Sequence, residues 1–399
     1  MTSTYRSRHD VVVVGARCAG AATAMLLARM GHDVVVLDKA RLPSDTVSTH
    51  GIARGGVVQL ARWGLLDAVL ASGAPAIEHV TFALEGQATT RRIKRRAGVD
   101  IMVAPRRRVL DGLLADAAVA SGARLRTGVT ATGVLRSADG RVDGITARTA
   151  DGARLELSAR FVVGADGLRS RMAEHVGAEV LDSFTSGSSI YYTYVAGLAS
   201  NAFEFHLAPG AFTGVFPTHD GEACVWICRP TAALGSVRAA GAGRVAAFLG
   251  ELDACAPDLA RRVRAGGVEA PVRGVADLPN HIRRPHGPGW ALVGDAGYHR
   301  DPITGHGITD AFRDAELLAT ALDAAIREPA TQADAMATYH RTRDAMLRET
   351  FDLTRALTRF PPVDRFVALQ IQLSEALERE AALLAALPRR TAEVIGSAA

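Results

Sequence analysis

The sequence predicts an α/β protein with a parallel β-sheet, an interleaved antiparallel β-sheet and a C-terminal helical segment. Near the N-terminus, an apolar strand at residues 11–14, a glycine-bearing turn, an apolar helical stretch and a strand ending at Asp38 form a βαβ unit. Residues 180–232 are rich in aromatic side chains, and alternation such as Phe203-x-Phe205-x-Leu207 indicates antiparallel strands with one buried face. Everything beyond residue 308 has a helical pattern.

The composition is that of a globular protein with enough apolar residues for a sizeable core. Of 399 residues, 48% are hydrophobic and 22% are charged, close to the averages for globular proteins. The formal charge of +4 is a mild excess that favours an anionic cofactor such as a dinucleotide. No nucleic-acid-binding pattern accompanies the basic residues, so we expect no nucleic acid as a partner.

The cysteines and the apolar runs bear on metal content and compartment. Cys18, Cys224, Cys228 and Cys255 lack metal-ligand spacing, so we expect reduced, mostly structural cysteines and no metal. The first ten residues lack the apolar core of a signal peptide, and no apolar run approaches the ~18 residues of a membrane span. We expect a cytoplasmic protein without a membrane span, and either a monomer or a homodimer.

Helix, strand and turn patterns divide the chain between two intertwined domains. A helix is predicted at residues 107–121, followed by strands near residues 124–135, 141–149, 154–158 and 160–164. We assign residues 9–80, 98–180 and 271–330 to the domain that carries the βαβ unit. The predicted antiparallel substrate domain comprises residues 81–97 and 181–270, and the C-terminal helices comprise residues 331–399.

The first sequence element with chemical meaning is the turn Gly15-Ala-Arg17-Cys18-Ala19-Gly20, which lies between the first strand and the first helix. Backbone N–H groups and the positive end of a helix at such a turn suit a pyrophosphate. Asp38, eighteen residues beyond Gly20, can accept hydrogen bonds from ribose hydroxyls, and Lys39 follows it.

Arg17 stands where G-x-G-x-x-G has its middle glycine. Either the backbone keeps φ below zero there, or the phosphates lie further away and touch the guanidinium. Alone, this element leaves FAD, NAD and an ordinary strand-to-helix turn as alternatives.

Two further elements follow predicted strands. Residues 161–163 enter the turn Gly164-Ala165-Asp166-Gly167, which on physical grounds alone is a helix N-terminus with a capping residue. The strand at residues 291–293 ends in Gly294-Asp295, and Pro302 and the Gly305-His306-Gly307-Ile308 helix start come next. A carboxylate at a strand end suits a polyol such as the ribityl chain of FAD. The N–H groups of residues 305–308 suit the electron-rich pyrimidine edge of a flavin.

In order and spacing, the three elements resemble those of the p-hydroxybenzoate hydroxylase-like (group A) FAD monooxygenases and the related geranylgeranyl reductase-like FAD oxidoreductases. The resemblance covers residues 10–316 and implies a Rossmann-type FAD-binding domain, with a GR2-like parallel sheet and a three-stranded meander. It places G-x-G-x-x-G on residues 15–20, the D-G motif on Asp166 and the G-D motif on Asp295. By the same resemblance, Arg107 contacts the ribose or phosphate of FAD, and Val129 offers backbone groups to the adenine. Thr309 stands where the family often has asparagine.

The resemblance implies a reaction in which NADPH or NADH reduces FAD. O2 then forms a flavin C4a-hydroperoxide, which hydroxylates an electron-rich aromatic or polyketide-like small molecule. The main alternative is an FAD-dependent reductase of isoprenoid double bonds. Such reductases carry Y-x-W-x-F-P in the middle sheet and flavin halogenases carry W-x-W-x-I-P, whereas this chain has Phe212-Thr-Gly214-Val-Phe216-Pro217. A flavin-binding protein without turnover is a third alternative.

The sequence offers candidates, but no decision, for catalytic groups. By analogy with relatives, His50 and Arg54 are expected near the flavin or the nicotinamide, and His299 and Arg300 near the ring. Tyr192, with its neighbours Tyr191 and Tyr194, and His206 are pocket candidates, although packing explains each equally well. The basic run at residues 91–96 is either a binding site for the extra phosphate of NADPH or a solvated hairpin.

Overall fold

The computed structural model describes residues 5–84, 86–268 and 270–388. The strands in these ranges are, in chain order, β1 Tyr5–Val14, β2 Val34–Asp38, β3 His79–Leu84, β4 Gln87–Arg92, β5 Arg124–Thr127, β6 Val129–Arg136, β7 Val142–Thr149, β8 Arg154–Gly164, β9 Val180–Thr185, β10 Ser188–Ala196, β11 Ala202–Ala208, β12 Ala211–Pro217, β13 Glu222–Pro230, β14 Gly267–Val268, β15 Arg273–Ala276, β16 Pro279–Arg283, β17 His286–Gly287, β18 Trp290–Leu292 and β19 Tyr298–His299.

The helices in the described ranges are α1 Cys18–Arg29, α2 Arg54–Arg62, α3 Leu66–Ala71, α4 Arg107–Ala120, α5 Arg171–Val176, α6 Gly235–Ala239, α7 Arg244–Cys255, α8 Pro257–Ala265, α9 Gly307–Arg327, α10 Gln332–Leu357 and α11 Val363–Ala386. None of them is long and apolar enough to cross a membrane. The expected C-terminal helices are confirmed up to residue 388, and the rest of that segment lies outside the described residues.

The first sheet is built around the parallel order β18-β8-β1-β2-β5. All residues of β2 are buried, because parallel strands covered on both faces need continuous apolar side chains. Its partner β1 pairs Val11 with Val34 on one side and with Phe161 on the other. β6, β7 and β8 form the antiparallel meander, and β8 is one continuous strand rather than the two that the sequence pattern predicts. The predicted fold class is confirmed.

The second sheet is mostly antiparallel, with the order β14-β10-β13-β12-β11-β3-β4 and β15 also paired with β10. β3 joins it by parallel pairing with β11, so residues from far apart in the chain complete one sheet. One face packs on α7 and α8 through residues such as Val225 and Phe248. The opposite face carries Phe203, Phe212 and Trp226 and packs on α10 and α11. The bounds predicted for the two domains stay a prediction.

β9, β16 and β19 form a third, small sheet. β19 directly precedes the turn into α9, which is almost entirely buried and packs against α1 and α10. This arrangement fixes the start of α9 beside the carboxyl ends of the parallel strands, where α/β sheets place ligands.

Candidate functional site

A cavity of about 580 Å3 lies between the carboxyl ends of the first sheet and one end of the second sheet. The first sheet contributes the turns that follow β1, β2, β8 and β18, and the second sheet contributes Ile190, Tyr192 and Val275. The candidate cofactor-binding residues that line it are Gly15, Arg17, Cys18, Ala19, Asp38, Lys39, Arg107, Val129, Asp166, Gly167, Asp295, Pro302, Gly305, His306, Gly307 and Ile308. Gly20 and Gly294 do not line the cavity, but they pack closely against residues that do.

The turn after β1 is shaped by two glycines that leave no room for a side chain. Gly15 has φ +106°, and an added Cβ would lie 2.3 Å from the carbonyl oxygen of Ala165. A Cβ on Gly20 would lie 1.8 Å from the carbonyl oxygen of Gly15, so α1 packs directly on the turn. Arg17, the residue before α1, has φ −90°, which confirms the first of the two alternatives for this position.

The side chain of Arg17 is held by protein groups. Its Nη1 donates to Asp111 at 2.8 Å, and its Nη2 donates to the Ser44 hydroxyl at 2.9 Å. Arg107 also pairs with Asp111, at 3.0 Å, and the Cys18 thiol donates to the same carboxylate at 3.2 Å. Asp111 is fully buried and orients both arginines at the cavity wall. The sequence reasoning missed it, although its i,i+4 spacing from Arg107 was a usable signal.

Two carboxylates at strand ends are fixed by backbone donors. Asp38 accepts the Ala16 N–H and the Ala40 N–H, both at 2.8 Å, so it faces the turn after β1. Asp166 accepts the Ser170 hydroxyl at 2.5 Å and the Met172 N–H at 3.1 Å. It therefore orders the start of α5 as well as lining the cavity.

The segment from β18 to α9 supplies a third carboxylate and a helix start. Burial raises the pKa of Asp295, although His299 and Arg107 act in the opposite direction. Gly305 has φ +65°, whereas Gly307 lies outside the left-handed region. α9 begins at Gly307, and the first N–H groups of a helix have no partner within it.

His50 lines the cavity close to the second sheet. It is only 1% exposed, has φ +66° and stacks on Tyr194, to whose hydroxyl its Nε2 is hydrogen-bonded. Its Nδ1 has no hydrogen-bond partner among the described residues. Burial, with help from Arg107 and Arg106, lowers the pKa of His50 to about 3, so it is neutral at physiological pH.

The comparison with protein families identifies the family of the chain and, with it, the cofactor. The chain matches the family described as FAD binding domain over residues 8–354. The chain belongs to this family. It is an FAD-dependent oxidoreductase, and the resemblance inferred from the three sequence elements is confirmed.

Curated relatives of this FAD-binding chain include reductases. It is 27% identical over 357 residues to the digeranylgeranylglycerophospholipid reductase of Methanocella arvoryzae, which covers 86% of this chain and 84% of that protein. It is 28% identical over 327 residues to the menaquinone reductase of Mycolicibacterium smegmatis, with 76% and 73% covered.

Solved structures with the same fold include other flavoenzymes. PqsL, a probable FAD-dependent monooxygenase from Pseudomonas aeruginosa, has a TM-score of 0.76 at 21% identity and covers 92% of this chain and 100% of its own. The myxobacterial chondrochloren halogenase CndH has a TM-score of 0.76 at 20% identity, with 95% and 96% covered. These similarities show the fold.

The cavity fits FAD in shape and in chemistry. Gly167, Gly305 and Gly307 line it, and a Cβ added to any of them would meet no atom within 4 Å, so the space beside their backbones is open. Helix starts, N–H groups and three carboxylates also line it, as a dinucleotide with ribose, pyrophosphate and ribityl groups requires.

The remaining candidates before α9 are His299, at the end of β19, and Arg300 and His306, which follow it. His299 lines the cavity, and its Nδ1–H donates to the Pro279 carbonyl at 2.7 Å. Its neighbour Arg300 also lines the cavity. The Nδ1–H of His306 donates to the Thr304 carbonyl at 2.7 Å, and burial lowers the pKa of His306 to about 4. Tyr192 accepts the Ser48 N–H at 3.3 Å and so links β10 to the loop that carries His50.

Two candidate catalytic residues lie elsewhere, which corrects the expectation for them. Arg54 is outside the cavity lining and donates to Glu378 of α11 at 2.9 Å, because α11 packs on α2. His206 pairs with Glu204 at 3.1 Å, and Glu204 also binds Arg262 of α8. His206 thus lies on the face of the second sheet that α7 and α8 cover. Tyr191 packs on that same face.

The basic run at residues 91–96 is largely solvent-exposed, and none of its residues lines the FAD cavity. Arg92 pairs with Glu78 at 2.9 Å, and Arg96 lies 3.7 Å from Glu378. This placement favours the solvated hairpin over a binding site for the phosphate of NADPH.

The low pKa of His50 predicts acid sensitivity of the folded state. The unfolded chain binds a proton at His50 near pH 6.5, whereas the folded chain does so only near pH 3, so this contribution to stability falls as the pH drops between those values. We expect His50→Gln to flatten the loss of Tm between about pH 7 and pH 4. Other buried histidines titrate in both proteins, so the difference between the two curves of Tm against pH reports on His50 alone. Parallel Tm curves for the two proteins would contradict this assignment.

Proposed function

We propose that the protein is an NADPH- or NADH-dependent FAD monooxygenase that uses O2 to hydroxylate an electron-rich aromatic or polyketide-like small molecule. The observation that carries this choice is the structure around Gly214 on β12. A Cβ at Gly214 would lie 2.4 Å from the Glu204 carbonyl oxygen and 2.5 Å from the indole of Trp226. The tryptophan that the resembled reductases carry at this position therefore has no space here, and Trp226 of the neighbouring strand fills that place.

The substrate-side wall supports an uncharged substrate. Ile190, Tyr192, Val275 and Leu278 line it, and His50 beside them is neutral. A wall of this kind binds an aromatic or polyketide-like ring by burial of apolar surface, and Nδ1 of His50 can orient one polar group of that ring. A monooxygenase of this kind needs orientation and exclusion of water more than acids and bases, so the lack of an evident triad in the described residues is compatible with the proposal.

The roles of the chain's residues toward FAD follow from their positions. Bound FAD supplies hydride acceptance from the nicotinamide and the activation of O2. The turn at residues 15–20 would hold the pyrophosphate, Asp38 the adenosine ribose and Asp295 the ribityl chain. The N–H groups at the start of α9 would stabilise negative charge on the pyrimidine edge. The Tyr192–Ser48 contact would keep the loop at residues 46–51 closed over the substrate and exclude water.

A second candidate function is reduction of isoprenoid double bonds. The curated relatives named as reductases of digeranylgeranylglycerophospholipid and of menaquinone favour it. The apolar substrate-side wall also accommodates a polyene.

The deciding experiment follows nicotinamide oxidation with and without O2 across a panel of phenols, polyketide-like aromatics and polyenes. A monooxygenase consumes O2 and inserts one labelled oxygen atom into the product. A reductase turns over a polyene without O2, and its product gains two hydrogen atoms. Reduction of a polyene by the nicotinamide under anaerobic conditions, with no oxygenated product from any phenol, would reject the proposal in favour of the reductase. Absence of any substrate-stimulated oxidation would favour a flavin-binding protein without turnover.

A further inference from the structure

The start of α9 is tied to the C-terminal helix α11 by a chain of buried charges. We define the Arg313 cluster as Arg300, Asp310, Arg313, Asp314 and Glu380. Each member is at most 4% exposed, and Arg313 and Asp314 are fully buried. Charges so deeply buried cost free energy, and apolar residues of similar size often give equal or greater stability. Stability of the fold alone therefore does not account for these buried charges.

The contacts within the cluster form a continuous chain of hydrogen bonds that leads from the cavity to α11. Arg300 lines the cavity and donates to Asp310 through Nε at 2.8 Å and Nη2 at 3.1 Å. Asp310, in the first turn of α9, also accepts a hydrogen bond from Nη1 of Arg313 at 2.7 Å. The same Nη1 of Arg313 donates to Glu380 of α11 at 2.9 Å. Two pairs of hydrogen bonds thus join the cavity wall to a helix that contributes no residue to the lining.

The other bonds of Arg313 fix its orientation. Its Nε and Nη2 donate to Asp314 at 3.0 and 2.8 Å, so the planar guanidinium cannot rotate without losing several charge-assisted bonds. Burial raises the pKa of Asp310, but Arg300 and Arg313 outweigh it, so the net shift is downward and the carboxylate stays ionised. A fixed Arg313 and an ionised Asp310 together hold Arg300.

We infer that Glu380 and Arg313 are positioning residues for the flavin, acting through Asp310 and Arg300 on the backbone of residues 300–307. This inference rests on the proposed placement of the flavin ring against the start of α9. It makes the affinity for FAD and the redox potential of bound FAD depend on a residue of α11 that does not touch the cavity. Burial raises the pKa of Glu380, and Arg313 acts in the opposite direction. Removal of this carboxylate loosens the turn and leaves Arg313 and Arg300 less neutralised.

The test compares Glu380→Gln with wild type, using the intact chain and FAD alone. We expect the Kd for FAD to rise about tenfold, which equals ~1.4 kcal/mol. We also expect the midpoint potential to become more positive, since the less neutralised arginines favour the reduced anion. The matched control is Glu316→Gln, which removes another buried carboxylate, on α9, that pairs with Arg62 at 2.7 Å and does not line the cavity. If both variants lose thermal stability but neither changes the Kd or the potential, the cluster is structural and the inference is overturned.

A second variant covers the case in which Glu380→Gln does not fold. Arg300→Lys keeps the charge but replaces the fork that binds both oxygens of Asp310, and it should raise the Kd for FAD in the same way. An unchanged Kd and potential in Arg300→Lys would equally overturn the inference. Neither measurement uses substrate or O2, so failure of the hydroxylation assay leaves this test intact. Loss of FAD binding in wild type would instead remove the proposed function itself.

Discussion

Gly307→Val is expected to abolish most FAD binding while leaving the fold intact. Gly307 faces open space in the cavity and has no left-handed φ, so a valine strains no backbone and collides only with what occupies the cavity. Overpacking of this kind costs about 1–3 kcal/mol, which corresponds to a loss of affinity of about ten- to a hundredfold. The residual flavin should be reduced more slowly, and its potential should fall, because the first N–H groups of α9 no longer approach the pyrimidine edge. Titration of the apoprotein with FAD and a redox titration measure both effects.

A matched control for this substitution is available on another helix. Gly235 is the first residue of α6, has no left-handed φ and also has no atom within 4 Å of an added Cβ, but it is remote from the cavity lining. Gly235→Val should bind FAD as wild type does. Wild-type affinity and potential in Gly307→Val would mean that the start of α9 does not face the flavin, and the proposed active site would be wrong.

Asp295→Ala is expected to weaken FAD binding about ten- to a hundredfold without destabilising the apoprotein. A charge-assisted hydrogen bond to a ribityl hydroxyl contributes roughly 1.5–3 kcal/mol, equivalent to that range of affinity. The pKa of Asp295 is raised by burial, so its stabilising contribution is present below the unfolded pKa and is lost as the pH rises through the folded pKa. At neutral pH the unfolded chain keeps this carboxylate ionised in water, so its burial is a cost to the folded apoprotein. The Tm of apo Asp295→Ala should therefore equal or exceed that of wild type.

Asp295→Asn separates charge from shape in the same measurement. The amide retains one acceptor and most of the volume, so its affinity for FAD should lie between wild type and Asp295→Ala. A fall in apoprotein Tm with no change in FAD affinity would show that Asp295 serves the fold and not the cofactor.

The positions of the strand-end residues followed well from the sequence because they depend on local pattern. Gly15, Asp38, Asp166 and Asp295 each lie at or just beyond the end of a buried strand, and carboxyl ends of neighbouring parallel strands meet at one edge of a sheet. Buried valine runs identify such strands without knowledge of distant contacts. Their roles toward FAD remain predictions that the substitutions above test.

Other features depend on residues far apart in the chain and had no local signal. Asp111 meets Arg17 across more than ninety residues, and Glu380 meets Arg313 across 67. The alternation in β11 puts His206 and Phe203 on opposite faces, as in the structure, but it gave no sign that α7 and α8 cover the face of His206. Arg54 was misplaced for a similar reason, since its partner Glu378 belongs to a helix more than three hundred residues later.

The parallel pairing of β3 with β11 has a consequence for how the chain reaches its native state. The edge hairpin β3–β4 is synthesised more than a hundred residues before the strands it joins, and the meander and α4 lie between them in the chain. Closing so long a loop must precede the gain from strand pairing, which favours slow, nonlocal folding. Until β11 is made, the hairpin has two unpaired edges that can associate with other chains. Neither of the two larger sheets is formed by one continuous segment of the chain. Substitutions in β3, including its exposed Phe82, should therefore change aggregation during synthesis more than they change the stability of the folded protein.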